Sequence, residues 1–163
     1  MAKTSYAIAI GSNRRSRFGS PAETVRAAAD ALDPLAVSRI RATPALGPAG
    51  RGFANAALIL ESGGEPPELL ADLKALERDF GRRSGRRWGP RVLDLDIILW
   101  SGGAWEGPGL VVPHPAFRDR LFVLDPLAEI VPDWRDPVTG ATVRQLRFRL
   151  ARRSPVDPAL PRT

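Results

Sequence analysis

A short apolar run, Tyr6–Ile10, ends at Gly11-Ser12-Asn13 and has the length of a buried strand. Ser20-Pro21-Ala22-Glu23 then carries capping-box spacing, with proline at the first helical position. Val25, Ala29 and Leu32 recur at helical intervals, which predicts a helix from Pro21 to Leu32. Val37–Ala42 reads as a second strand, and Thr43–Gly50 holds too much proline and glycine for regular structure. Over Phe53–Leu60 the period-two pattern puts Phe53, Asn55, Ala57 and Ile59 on one face. Ala54, Ala56, Leu58 and Leu60 take the other. Leu69, Leu73, Leu76 and Phe80 form the apolar stripe of a helix over Pro67–Phe80, stopped by Gly81. Arg82–Arg91 is a polar loop leading into a strand, Asp94–Trp100. A short strand near Leu110–Val112, a proline-rich stretch and a helix from Thr142 to Arg152 follow, and 155–163 reads as a loose tail. The order predicts an α+β chain built on the ferredoxin-like βαββαβ plan, with C-terminal additions. Its helices would cover one face of an antiparallel sheet and leave the other open. No domain boundary interrupts residues 1–163.

Composition narrows the class. With 44% hydrophobic and 26% charged residues, the 163-residue chain has the balance of a globular domain with a sizeable core. It contains neither a membrane-length apolar run nor a basic-then-apolar leader, and it has no cysteine, so the expectation is a cytoplasmic protein without disulfides. The net charge of +6 favours anionic partners such as phosphates, nucleotides or nucleic acid. The arginines fall into two groups: one precedes Asp94, and the other, from Arg144 to Arg153, has the look of a solvated helix face or a fraying tail.

The first group borders the most informative pair in the chain. Asp94 and Asp96 are two apart in a strand, so both carboxylates stand on one face, about 6–7 Å apart. Such a pair can clamp one or two hard cations, and neighbouring arginines can hold phosphate oxygens. The plain alternative is a pair of solvated edge carboxylates matched to those arginines. His114, the only histidine, is held between Pro113 and Pro115. It could donate to a phosphate or simply pack at the surface. Asn55 offers both donor and acceptor to a heterocycle edge, with Phe53 on the same face to stack against it. A structural amide would read the same way. Trp88 could be a lid or a loop anchor. Neither a P-loop nor a G-x-G-x-x-G fingerprint is present.

Taken together, AIAIGSN (Ala7–Asn13), RATPALGP (Arg41–Pro48), FANAAL (Phe53–Leu58), RRWGPRVLDLDII (Arg86–Ile98), VPHP (Val112–Pro115) and RLFVLDPLAEIVP (Arg120–Pro132) closely resemble the 6-hydroxymethyl-7,8-dihydropterin pyrophosphokinases of folate biosynthesis. The resemblance implies transfer of the β,γ-diphosphate of ATP to the pterin hydroxymethyl group, with AMP released and no covalent intermediate. It implies that Asp94 and Asp96 bind two Mg²⁺ ions. Arg82, Arg91 and His114 match catalytic phosphate contacts. Glu77, Arg87, Trp88, Arg91, Ile97, Val111, His114 and Arg120 match the ATP site, Ile97 and Val111 through their main chain. Thr43, Pro44, Leu46, Phe53, Asn55, Asp94 and Phe122 match the pterin site. Small-molecule substrates, no nucleic-acid or membrane partner and a monomeric state complete the expectation. Two other readings compete: an RNA-binding ferredoxin-like module, which the basic charge and fold plan fit, and a different two-metal nucleotidyl transferase. The first lacks interleaved surface aromatics for base stacking. The second would release pyrophosphate instead of AMP.

Overall fold

The computed structural model describes residues 2–43, 52–81 and 92–153. Strand β1 (Thr4–Ser12) lies inside a five-stranded antiparallel sheet. It pairs with β4 (Phe53–Ser62) on one side and β5 (Asp94–Trp100) on the other. The far edge of β4 is covered by two short strands, β2 (Ala36–Val37) and β3 (Arg41–Thr43). The single strand expected over Val37–Ala42 is therefore interrupted. Ser38 explains the break. Its hydroxyl accepts the Ala57 amide at 2.9 Å, a place that a backbone carbonyl would fill in a regular ladder.

Helix α1 (Pro21–Leu32) starts at the expected capping box, where Ser20 and Glu23 each accept the other's amide. Helix α2 (Pro66–Gly81) contributes to the same core, and its Phe80 stacks on Phe18 with ring centroids 4.4 Å apart. Val25, Ala28, Leu69 and Leu73 from these helices share one core with Tyr6, Ile8, Ile10, Leu58, Leu60 and Leu95. These side chains obey the alternation read from sequence, because burial on one face leaves only one register that hides every apolar residue.

The second sheet face, expected from the sequence to be open, is covered over part of its length. Helix α3 (Leu121–Ile130) and helix α4 (Val143–Arg153) cover one end of it. They form a second core with Ala7, Ala57, Ile59, Ile98 and Leu99. α3 is a helix that the pattern does not announce, since Pro126 stands inside it and its apolar residues are almost continuous. Helix α4 begins at a second capping box, between Thr142 and Gln145. Arg144, Arg147, Arg149, Arg152 and Arg153 all face solvent, as a solvated helix face should.

One strand departs from simple alternation. The sequence placed Leu99 with Leu95 and Ile97, but Leu99 lies on the opposite side, next to Ile98. A bulge is the cause: Ala7 pairs with Leu99 while Ile8 pairs with Ile97, so Ile98 is the extra residue. The bulge also turns Trp100 back to the first face, where it stacks on Tyr6 at 5.9 Å. The hairpin of β6 (Trp105–Gly107) and β7 (Leu110–Val112) follows, then a 3-10 turn at Phe117–Asp119.

Candidate active site

The uncovered end of the second face is a cleft of about 280 Å³. Strand register decides its floor. One cross-sheet row reads Arg41, Asn55, Gly11, Asp94, and the next reads Ala57, Ala9, Asp96. Small residues thus occupy the middle, with an amide on one side and two carboxylates on the other. Asp94 is exposed and Asp96 half-buried, and both line the cleft. Phe53 forms one wall at 38% exposure, paired in register with Thr43. Phe122 and Arg120 come from the opposite side, with the guanidinium 5.8 Å from the ring centre.

His114 reaches the cleft through the bulge. Its amide donates to the Ile98 carbonyl at 3.0 Å, which docks the turn after β7 against β5. Its Nδ1 accepts the Ala116 amide at 3.1 Å. In the neutral ring the proton then sits on Nε2, which is left as a donor. Burial holds the imidazole pKa below its ordinary value; Asp96 pulls it upward and Arg120 lowers it further. A neutral donor at this point can bind an anion without adding charge.

The aspartates are held from behind. Ser12 donates to the Val92 carbonyl at 2.6 Å and so ties the end of β1 to the segment entering β5. Glu77 accepts the Leu95 amide at 2.7 Å, the amide that lies between the two aspartates. Its other oxygen accepts from Lys74 at 3.1 Å, and the carboxylate side chain is 9% exposed. Glu77 therefore stands on the helix side of β5 and is not among the cleft-lining residues. Ile97 is buried in the first core, and Val111 is 45% exposed on β7; neither side chain lines the cleft.

The structure brings together Thr43, Phe53, Asn55, Asp94, Asp96, His114, Arg120 and Phe122 from the sequence-based set. Pro44, Leu46, Arg82, Arg87, Trp88 and Arg91 lie outside the described residues. Two supports escaped the sequence reading. One is Ser12, whose only signal was a turn-like tripeptide. The other is Asp136, fully buried, which accepts Arg118 Nε and Nη2 at 2.6 and 2.9 Å. This fork pins the 3-10 turn just before Arg120. Burial alone would raise the Asp136 pKa, but hydrogen bonds from Arg118, Thr139 and the Val138 amide bring it down to about 2.

Among the described residues no cluster of three histidine, aspartate or glutamate side chains could enclose a metal ion. A cation on Asp94 and Asp96 would complete its shell with water and phosphate oxygens. That donor set suits Mg²⁺, which typically binds through one or two carboxylates plus substrate phosphates.

A family model for 7,8-dihydro-6-hydroxymethylpterin-pyrophosphokinase (HPPK) matches residues 7–132. A 2-amino-4-hydroxy-6-hydroxymethyldihydropteridine pyrophosphokinase of Synechocystis is 47% identical over 102 residues, which is 63% of this chain and 52% of that one. The enzyme of the same name from Pseudomonas aeruginosa is 41% identical over 137 residues, covering 80% of this chain and 82% of the relative. The match thus spans about half the length of the first relative and most of the second. The crystal structure of wild-type Plasmodium falciparum HPPK-DHPS superposes with a TM-score of 0.70 at 12% identity, over 93% of this chain and 45% of that one. At that identity the likeness speaks for the fold alone.

Proposed function

This chain belongs to the 7,8-dihydro-6-hydroxymethylpterin-pyrophosphokinase family, and we propose that it transfers the β,γ-diphosphate of ATP to the hydroxymethyl group of 6-hydroxymethyl-7,8-dihydropterin, releasing AMP. One observation carries the reading: Phe53, Asn55 and Phe122, which suit a flat heterocycle, line the same cleft as Asp94, Asp96, His114 and Arg120, which suit a metal-bound phosphate.

Phe53 and Phe122 sandwich the pterin ring, and Asn55 pairs with its edge through donor and acceptor together. Asp94 and Asp96 would hold two Mg²⁺ ions, which when bound would supply charge neutralisation for the triphosphate and the attacking hydroxyl. His114 donates from Nε2 to a phosphate oxygen, and Arg120 adds a charged donor beside it. Arg82, Arg87, Trp88 and Arg91 complete the ATP side. The hydroxyl oxygen bonds to the β-phosphorus while the bond from that phosphorus to the oxygen bridging the α-phosphate breaks. Nothing becomes attached to the protein, so positioning and charge stabilisation supply the rate. The protein acts as a cytoplasmic monomer on small molecules.

The test combines purified protein, ATP, Mg²⁺ and 6-hydroxymethyl-7,8-dihydropterin and follows both nucleotide products. AMP and the pterin diphosphate should form in equal amounts. Asp94→Asn and Asp96→Asn should each remove nearly all turnover and weaken Mn²⁺ binding, measured separately, while leaving the protein folded. No AMP above background, or pyrophosphate in its place, refutes the proposal.

A further inference from the structure

Gly11 is an unexpected residue for its position. It lies inside β1, opposite Asn55 on one neighbour and Asp94 on the other. Glycine weakens a strand interior and often marks a place where something must come close. Backbone conformation does not call for it, because Gly11 is absent from the glycines with positive φ. Space does. A Cβ at this position would lie 2.9 Å from Asn55 Oδ1, closer than such atoms approach, and 3.6 Å from the Ala54 carbonyl, an ordinary contact. The obstacle is thus one side-chain amide and no part of the backbone. The next row of the floor tolerates alanine at both Ala9 and Ala57, so small size in general is not the requirement. Only the residue between Asn55 and Asp94 has lost its last carbon.

We propose that Gly11 is a specificity-determining residue: its missing side chain lets the Asn55 amide lie across β1, on the cleft floor, in line with Asp94. Resting there, the amide presents its donor and acceptor to the edge of a flat heterocycle whose reacting arm points toward the carboxylates. Any side chain at position 11 lifts the amide into the volume that the ring needs. Recognition is lost while the scaffold is kept, since the displaced group is the mobile end of a side chain. The inference rests on the pterin reading given above and deepens it.

Gly11→Ala separates this idea from a structural role. Calorimetry with 6-hydroxymethyl-7,8-dihydropterin should show affinity reduced roughly tenfold or more, the scale of one mispaired buried amide. Affinity for Mg²⁺·ATP should stay within about twofold, and the melting temperature should hold or rise, because alanine suits a strand better than glycine does. Asn55→Ser should lose pterin affinity by itself, and adding Gly11→Ala to it should cost nothing further. Wild-type protein that binds no pterin refutes the functional reading and this inference with it. Wild-type binding with equal binding by Gly11→Ala overturns the inference alone, as does a fully additive double variant. Should Gly11→Ala not fold, the double variant should restore folding. A double variant that also fails to fold places the obstacle elsewhere and overturns the inference.

Discussion

Asp136→Asn puts an amide where every neighbour is already a donor. Arg118 Nε and Nη2, the Val138 amide and the Thr139 hydroxyl all point at the carboxylate, at 2.6, 2.9, 3.0 and 2.8 Å. An ionised carboxylate accepts all of them; an amide has one acceptor oxygen and turns two N–H groups against donors. The pKa, lowered from 3.8 to about 2, is linked to roughly 2 kcal/mol of stability at neutral pH. Stranding Arg118 adds to the loss, although its side chain is 24% exposed and water recovers part of its charge. The expected total is about 2–4 kcal/mol. For a chain of this size that lowers the unfolding midpoint by about 5–15 °C. The sign with pH is fixed. A carboxylate whose folded pKa is depressed stabilises above its unfolded value and loses that contribution as pH falls through the folded one. The gap between wild type and variant should be flat from neutral pH to about pH 5 and should narrow steadily below about pH 4. Urea unfolding followed by circular dichroism across that range measures it. A gap below about 0.5 kcal/mol at pH 7, the scale of an ordinary surface change, refutes the reasoning. So does a gap that stays constant down to the acid limit. Because the fork pins the turn ahead of Arg120, the folded variant should also turn over more slowly.

Glu77→Ala should cost about 1–3 kcal/mol by orphaning the Leu95 amide, and Glu77→Gln, which keeps a carbonyl acceptor, should recover most of it. Equal stability of the alanine variant and wild type in urea would remove Glu77 as the support of the aspartate strand. Phe53 is 38% exposed, so Phe53→Ala should barely move the melting temperature. It should weaken pterin binding about tenfold, the scale of a lost ring stack, and leave ATP binding unaltered. Calorimetry with each substrate alone separates the two effects, and a matching loss of ATP affinity contradicts the assignment.

Much of the cleft follows from local pattern. Alternation alone put Phe53 with Asn55, and Asp94 with Asp96, because a strand sends every second side chain to the same face whatever surrounds it. The capping box at Ser20 and Glu23 fixed the start of α1 for an equally local reason, since both partners lie within one turn. The motifs around Asp94 and His114 carried the family likeness.

Tertiary structure decided what lies opposite what. Cross-strand pairing set Gly11 between Asn55 and Asp94, across gaps of many tens of residues in the chain. The bulge at Ile98 moved Leu99 to the second face and placed the carbonyl that docks His114. Ser38 broke an edge strand by lending its hydroxyl to a distant amide. Arg118 found Asp136, a contact for which neither residue's neighbourhood gives any sign. Periodicity is a property of the backbone and can be read from one stretch of chain. Bulges, side-chain substitutes for the ladder and buried ion pairs depend on the free energy of groups that only folding brings within reach.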